Sequence, residues 1–156
     1  QNIHVYKKAL SNKNENAKFN FNRHNLTSSL SNLDPNNSYL KMKAKLFGTT
    51  SQGMIVDTKT IQTTTLFSVL EKENLETIDF LKVDTEGHEL QVLQGMKEKI
   101  KTIKHLLVEF HNDEIYISYD PEFLHEYLIS HNFKLIKKFK FPFTTWEDRL
   151  YTNLEK

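Results

Sequence analysis

Apolar residues follow two different periodicities near the centre of the chain, and the change between them predicts a strand followed by a helix. Residues 78–83 form a near-continuous apolar run, which is typical of a parallel strand covered on both faces. After the polar turn from Asp84 to Gly87, apolar residues recur every three or four positions, at Leu90, Leu93, Met96, Ile100 and Ile103. This spacing predicts the buried face of one helix. The turn therefore lies at the carboxyl end of a strand, where open α/β sheets bind ligands.

The segments before this turn predict strands, loops and one short helix. Residues 2–10 predict a first strand, and the alternation over 19–21 predicts a short edge strand. Residues 22–37 are rich in Asn, Ser and Thr, which favours a loop. Alternating apolar residues and two glycines over 39–64 predict a β-hairpin. The apolar spacing over 66–70 predicts a short helix.

The segments after the turn continue the alternation of strands and helices. Residues 105–110 predict a second buried strand, and Asp120-Pro121 predicts a helix that begins with an Asp N-cap and a proline in its first turn. Residues 133–141 and 150–154 predict an antiparallel pair of strands around a turn at Pro142 to Asp148. Together these elements indicate one α/β domain over residues 1–156, with an antiparallel carboxyl-terminal edge and with the 22–64 loop and hairpin as an insertion.

Composition and charge exclude several kinds of partner. The chain has 156 residues, the size of one domain, and 21 basic against 20 acidic residues. This balance predicts no nucleic-acid partner and no attraction to an anionic membrane. The chain has no cysteine, so disulfides and thiolate catalysis are excluded. No apolar run approaches the roughly 20 residues that span a bilayer, so we expect a cytoplasmic protein.

The segment around the central turn carries a recognisable pattern, K-x-D-x-E-G-x-E-x-x-V-L-x-G, over residues 82–95. It resembles the signature of the FkbM-type S-adenosylmethionine-dependent methyltransferases. The resemblance implies a class I methyltransferase-like, Rossmann-like sheet, S-adenosylmethionine as cofactor, and methylation of a hydroxyl on a small-molecule or glycan acceptor. That family's glycine-rich cofactor loop and its following acidic residue are missing, so we expect a partial domain that lacks its amino-terminal cofactor-loop strands.

Asp84, Glu86 and Lys82 are the candidate catalytic residues. Asp84 and Glu86 are two positions apart, so in an extended segment their side chains would point the same way. Such a pair would position or deprotonate an acceptor oxygen, or hold a divalent metal ion. The simpler interpretation is that Glu86 only stabilises a helix amino terminus. Lys82 lies on the same side of the strand as Asp84, and an ion pair between them is its simpler interpretation.

The resemblance also implies a cofactor-binding group. It consists of Asp84 and the end of the first strand, at Ala9, Leu10 and Ser11, where backbone groups would contact the adenine end of the cofactor.

Three further residues are candidates for substrate binding: His88, Glu109 and His111. His88 lies in the first turn of the predicted helix, and its simpler interpretation is an exposed helix residue. Glu109 and His111 end the second buried strand and would lie beside the Asp84 turn if the two strands are neighbours. For His111 a solvent-facing side chain is the simpler interpretation.

Two other classes of protein remain open at this point. Asp84-Thr85-Glu86-Gly87 resembles the first metal motif of the Asp-Glu-Asp-Asp exonucleases, and Tyr116-x-x-x-Asp120 mimics their last one. Two-metal chemistry would need four carboxylates around ions about 4 Å apart. The second alternative is a non-catalytic Rossmann-like remnant or binding module, which the missing cofactor loop supports.

Overall fold

The computed structural model describes residues 3–142 and 144–156, which form two β-sheets with short helices around them. The strands are β1 (Ala9–Leu10), β2 (Asn16–Asn22), β3 (Ile55–Thr64), β4 (Ile78–Val83), β5 (Ile103–His111), β6 (Phe133–Lys140) and β7 (Trp146–Asn153). The α-helices are α1 (Ser38–Leu46), α2 (Leu66–Lys72), α3 (Glu89–Gln94) and α4 (Pro121–Ser130). Three 3₁₀ segments cover Asn25–Thr27, Gln52–Met54 and Lys97–Thr102.

The first sheet has the strand order β1-β3-β2, with β1 parallel and β2 antiparallel to β3. The edge strand predicted over 19–21 is confirmed as part of β2. The strand predicted over 2–10 is reduced to Ala9–Leu10, and its residue Asn2 lies outside the described residues. Residues 3–8 have no regular structure, because β1 pairs with β3 only at Ala9 and Leu10.

The β-hairpin predicted over 39–64 is wrong, because its first half is helix α1. The Asn37 side chain caps α1 by accepting a hydrogen bond from the Leu40 backbone nitrogen at 2.9 Å. Leu40 and Ala44, four positions apart, are buried against a small second core, whereas Met42 and Leu46 of the alternating set are exposed. The second half is β3, which pairs with β2 instead.

The second sheet has the order β4-β5-β7-β6, in which β4 and β5 are parallel and β7 is antiparallel to both of its neighbours. The antiparallel carboxyl-terminal edge is therefore confirmed, although the described residues form two sheets and not one. The last strand begins at Trp146 and not at Leu150, because Trp146 pairs with His111. The predicted turn from Pro142 is correspondingly shorter, and its residue Phe143 lies outside the described residues.

Strand β4 is only partly covered, so the prediction of burial on both faces is wrong. Val83 is buried, but Phe80 is 55% exposed. Among the described residues β4 pairs with β5 alone and is an edge strand. The strand therefore reaches the turn with one covered and one open face.

The single helix predicted after the turn is divided. Helix α3 ends at Gln94, a 3₁₀ segment follows over Lys97–Thr102, and Ile103 already belongs to β5. The apolar side chains nevertheless face the core as predicted: Leu93, Met96, Ile100 and Ile103 are fully buried. The division occurs at Lys97, whose φ of 51° lies in the left-handed region and does not continue an α-helix.

The predicted start of α4 is confirmed. Asp120 Oδ1 accepts hydrogen bonds from the backbone nitrogens of Glu122 and Phe123, both at 3.0 Å. Leu124 and Leu128 of α4 are fully buried in the main core, which lies against the second sheet. In the described part of the chain, every helix is too short or too polar to cross a membrane.

Candidate functional site

The buried carboxylate of Glu89 stabilises the turn between β4 and α3 through hydrogen bonds. Its Oε1 accepts hydrogen bonds from the backbone nitrogen of Thr85 at 2.8 Å, the Thr85 hydroxyl at 3.2 Å and the Gly87 backbone nitrogen at 3.2 Å. Glu89 is fully buried, and burial raises its pKa. In the sequence Glu89 was only one letter of the motif, but in the structure it is a positioning residue for the whole turn.

The loop predicted over 22–37 holds the turn from the other side. The Ser29 hydroxyl lies 2.7 Å from the Glu86 carbonyl oxygen, and the Ser31 hydroxyl donates to the Gly87 carbonyl oxygen at 2.7 Å. Ser29 is buried, at 2% exposure. These contacts could not be predicted from local patterns, because more than 50 residues separate the two segments.

Asp84 and Glu86 do not point the same way, which corrects the prediction of a carboxylate pair. Glu86 has a φ of 55°, in the left-handed region, so the alternation of an extended strand ends before it. Asp84 and Glu86 line two different cavities. The two carboxylates are therefore available for two different ligands.

The first cavity, here called the Asp84 cavity, has a volume of about 310 Å³. Ala9 and Leu10 line it from the end of β1, Asp84 and His88 line it from the turn, and Ser29 lines it from the loop. The structure thus brings Ala9, Leu10 and Asp84 of the predicted cofactor-binding group around one space. Ser11 is buried behind His88, with its hydroxyl 3.0 Å from His88 Nε2.

Lys82 forms the ion pair that its position suggested. Its Nζ lies 2.7 Å from Asp84 Oδ2, and the side chains of Lys82 and Asp84 are 49% and 38% exposed. The hydrogen bond from Lys82 to Asp84 raises the pKa of Lys82. Lys82 does not line the Asp84 cavity, so it can affect the site only through its ion pair with Asp84.

His88 is not an exposed helix residue. Burial lowers its pKa to about 4, so the imidazole is neutral at physiological pH. It lines the Asp84 cavity, whereas Glu109 and His111 line the other cavity. The three predicted substrate-binding residues are therefore divided between the two spaces.

The second cavity, here called the Glu86 cavity, has a volume of about 330 Å³. Its lining residues include Glu86, Glu109, His111 and Tyr116. Further aromatic side chains, among them Trp146, also line it. Parallel pairing of β4 with β5, with Val83 opposite Val108, brings the end of β5 beside the turn. The prediction that Glu109 and His111 lie there is confirmed.

Glu86, Glu109 and His111 form a compact group. Glu109 Oε2 lies 3.2 Å from His111 Nε2, and one potential ligand atom from each of the three residues lies within 4.8 Å of the others. The Tyr116 hydroxyl donates a hydrogen bond to Glu86 Oε2. Tyr116 was a site residue only in the exonuclease interpretation, so its contact with Glu86 went unpredicted.

The environment of this group alters the acidity of its members. Burial raises the pKa of Glu86, and the hydrogen bond from Tyr116 opposes that rise. Burial lowers the pKa of His111, but the neighbouring carboxylates outweigh it and the net pKa is raised. His111 is only 5% exposed, so the interpretation of a solvent-facing histidine is wrong.

The arrangement does not support the exonuclease interpretation. The Asp120 carboxylate caps α4, and Asp84 pairs with Lys82. Asp84 and Asp120 line different cavities, so the proposed first and last metal motifs are not brought together.

Comparison with known families identifies the class of protein. Residues 2–135 match the family model of the methyltransferase FkbM domain. The match covers most of the chain, and the chain therefore belongs to the FkbM methyltransferase domain family. Among the curated proteins and the solved structures that were compared, none matches the chain.

Proposed function

We propose that this protein is an S-adenosylmethionine-dependent methyltransferase that methylates a hydroxyl group of a small molecule or sugar. The family supports methyl transfer, and the observation that carries the rest is the pair of cavities on either side of the turn. Thr85 lines the Asp84 cavity, and the next residue, Glu86, lines the Glu86 cavity. In the same way, Thr27 lines the Glu86 cavity and Ser28 lines the Asp84 cavity. One cavity would hold the methyl donor and the other the acceptor.

The size and the lining of the Asp84 cavity support its assignment to the cofactor. Its volume is at the lower end of the roughly 300–1,000 Å³ typical of ligand pockets. Leu10, Phe19 and Leu30 offer apolar surface for the adenine ring, and Asp84 offers a carboxylate for a positively charged or hydroxyl-bearing part of the ligand. No glycine is among the described residues that line it, so side chains and the end of β1 would make the contacts.

The bound cofactor supplies an electrophilic methyl group on a positively charged sulfur. This chain's residues would bind the acceptor in the Glu86 cavity and take the proton that its hydroxyl loses. Glu86 is suited to that role because its burial-raised pKa makes it a stronger base than an exposed carboxylate. Asp84, held by Lys82, would position the cofactor.

Calorimetric titration of the protein with S-adenosylhomocysteine, the demethylated form of the cofactor, tests this assignment. We expect one ligand per chain, and we expect Asp84→Asn to weaken binding at least tenfold. Asp79→Asn is the matched control, because Asp79 lies on β4, the strand that ends just before Asp84, and pairs with Lys104 at 2.6 Å but is far more exposed. It should bind like the unaltered protein.

Failure of the folded protein to bind the ligand at millimolar concentration would contradict the proposal and favour the non-catalytic binding module. Equal loss of binding in Asp79→Asn and Asp84→Asn would also contradict it, since the effect would then be one of general charge. A screen of sugars and small alcohols with a radiolabelled methyl donor would follow a positive result. Its product would identify the acceptor.

A further inference from the structure

We propose that Glu86, Glu109 and His111 bind one divalent transition-metal ion in the Glu86 cavity. The sequence suggested Asp84 and Glu86 as the carboxylates for any metal. The structure instead groups Glu86 with two residues at the end of β5. The ion would lie between the turn and the sheet.

The distances suit a single ion. Metal–nitrogen and metal–oxygen bonds in such sites are about 2.0–2.2 Å, so two ligand atoms at a right or tetrahedral angle lie about 2.8–3.6 Å apart. Glu109 Oε2 and His111 Nε2 are 3.2 Å apart. The ligand atoms of all three residues lie within 4.8 Å of one another, so the Glu86 carboxylate would move towards the ion as it binds.

Among the described residues, two of the three ligand atoms have no hydrogen bond, and the only ion pair open to them is with each other. Glu109 Oε2 and His111 Nε2 are buried without a hydrogen bond, and the two side chains are 10% and 6% exposed. They lie 3.2 Å apart and form an ion pair only when His111 is protonated. Since buried polar atoms are nearly always partnered, a shared cation is the ligand that would satisfy both.

The histidine is held in place without using Nε2. Its ring packs edge-on against the rings of Tyr116 and Tyr119, with centroid distances of 4.9 and 5.6 Å. Its backbone nitrogen donates a hydrogen bond to the Tyr119 hydroxyl at 3.2 Å. The imidazole is therefore oriented before any ligand arrives.

The donor set selects the class of ion. One imidazole nitrogen and two carboxylates suit Zn²⁺, Mn²⁺ or Fe²⁺, whereas Mg²⁺ and Ca²⁺ prefer oxygen ligands alone. Three protein ligands leave positions for oxygens of another molecule. In the proposed methyl transfer, an ion here would hold the acceptor hydroxyl and make it more acidic, so that its proton could pass to solvent. Glu86 would then act as a ligand of the ion and not as the base. That role rests on the proposed function, but the site itself does not.

Metal titration of the chelator-treated protein tests the site. Calorimetry with ZnCl₂ and with MnCl₂, in the absence of any methyl donor, should show one ion per chain. Glu109→Gln and His111→Gln should each raise the dissociation constant at least tenfold. His105→Gln is the matched control, because His105 is an exposed histidine on the same strand. Asp84→Asn is the second control, and neither control should change the affinity.

Circular dichroism and thermal melts would show whether each variant folds, and Glu86→Gln provides a third ligand variant that keeps the size of the side chain. Replacing the ion with Co²⁺ would give a visible absorption band that His111→Gln alters. Absence of binding at millimolar metal, unchanged affinity in the folded ligand variants, or loss of binding in Asp84→Asn would overturn the proposal. Because no cofactor is present, these results are independent of cofactor binding.

Discussion

Gly87 and Tyr116 are so close that a Cβ atom built on Gly87 would lie 2.4 Å from the Tyr116 ring. Gly87 also has a φ of +85°, which side-chain-bearing residues rarely adopt. This contact lets the turn pack against the tyrosine that donates to Glu86. The glycine of the motif is therefore required for two separate reasons.

Gly87→Ala is expected to destabilise the fold more than Gly48→Ala. Gly48 has a φ of +64° but nothing within 4 Å, so its substitution costs only the left-handed backbone, about 1–2 kcal/mol. Gly87→Ala adds overpacking against a buried ring, about 1–3 kcal/mol more. Urea denaturation of the two variants measures the difference. Equal free energies of unfolding would show that Tyr116 moves aside freely.

Gly95→Ala is expected to disturb the Asp84 cavity. The added Cβ would lie 2.2 Å from the Ser11 backbone oxygen, so the end of β1 must move. At Gly53 the clash is equally short but involves the Thr49 hydroxyl, a side-chain end that can rotate. We expect Gly95→Ala to lose about 1–3 kcal/mol of stability and Gly53→Ala less than 1 kcal/mol.

Calorimetry with S-adenosylhomocysteine would extend this comparison. If the proposed function is right, Gly95→Ala should weaken binding and Gly53→Ala should not. Unchanged binding in Gly95→Ala and weaker binding in Gly53→Ala would show that the end of β1 does not form part of the ligand site.

His88 should make stability depend on pH. Its folded pKa of about 4 is below the unfolded value of 6.5, so the unfolded chain binds the proton first as pH falls. The stabilisation is complete above pH 6.5 and is lost towards pH 4. The full pKa shift corresponds to roughly 3 kcal/mol of stability. Because the His88 side chain is partly exposed and solvent screens its charge, we expect a loss of about 1–2 kcal/mol.

His88→Gln should flatten this part of the stability profile, whereas His105→Gln, which removes an exposed histidine, should leave its shape unchanged. Denaturation at intervals between pH 4 and pH 7 makes the comparison. An unchanged slope in His88→Gln would show that His88 does not cause it.

Tyr116→Phe is expected to leave Glu86 without its hydroxyl donor. The loss of a buried hydrogen bond to a carboxylate costs about 1–3 kcal/mol, and the pKa of Glu86 should rise because that bond holds it down. Carbon-detected NMR titration of the glutamate carboxyls measures the change. In Tyr119→Phe, which removes the acceptor of the His111 backbone nitrogen, the titration of Glu86 should stay as it is.

Local patterns were enough to predict several elements. The apolar run of β4, the turn after it and the capped start of α4 all follow from residues adjacent in the sequence, because strand periodicity and helix capping are local effects. The position of Glu109 beside the turn also followed, since parallel strands place their carboxyl ends at one edge. Alternation misled the prediction at α1, where Leu40 and Ala44 are buried and Tyr39 packs against the same core, whereas Met42 and Leu46 are exposed.

The sequence by itself therefore determined the strand-turn-helix, the acidic residues that it carries and the family. Tertiary structure decided what each residue faces. The left-handed backbone at Glu86 separates it from Asp84, and the buried contacts of His111 come from two tyrosines packed around it. Likewise, Ser11 reaches His88 across 77 positions. Such contacts depend on packing between distant segments, which leaves no periodic signal in the chain.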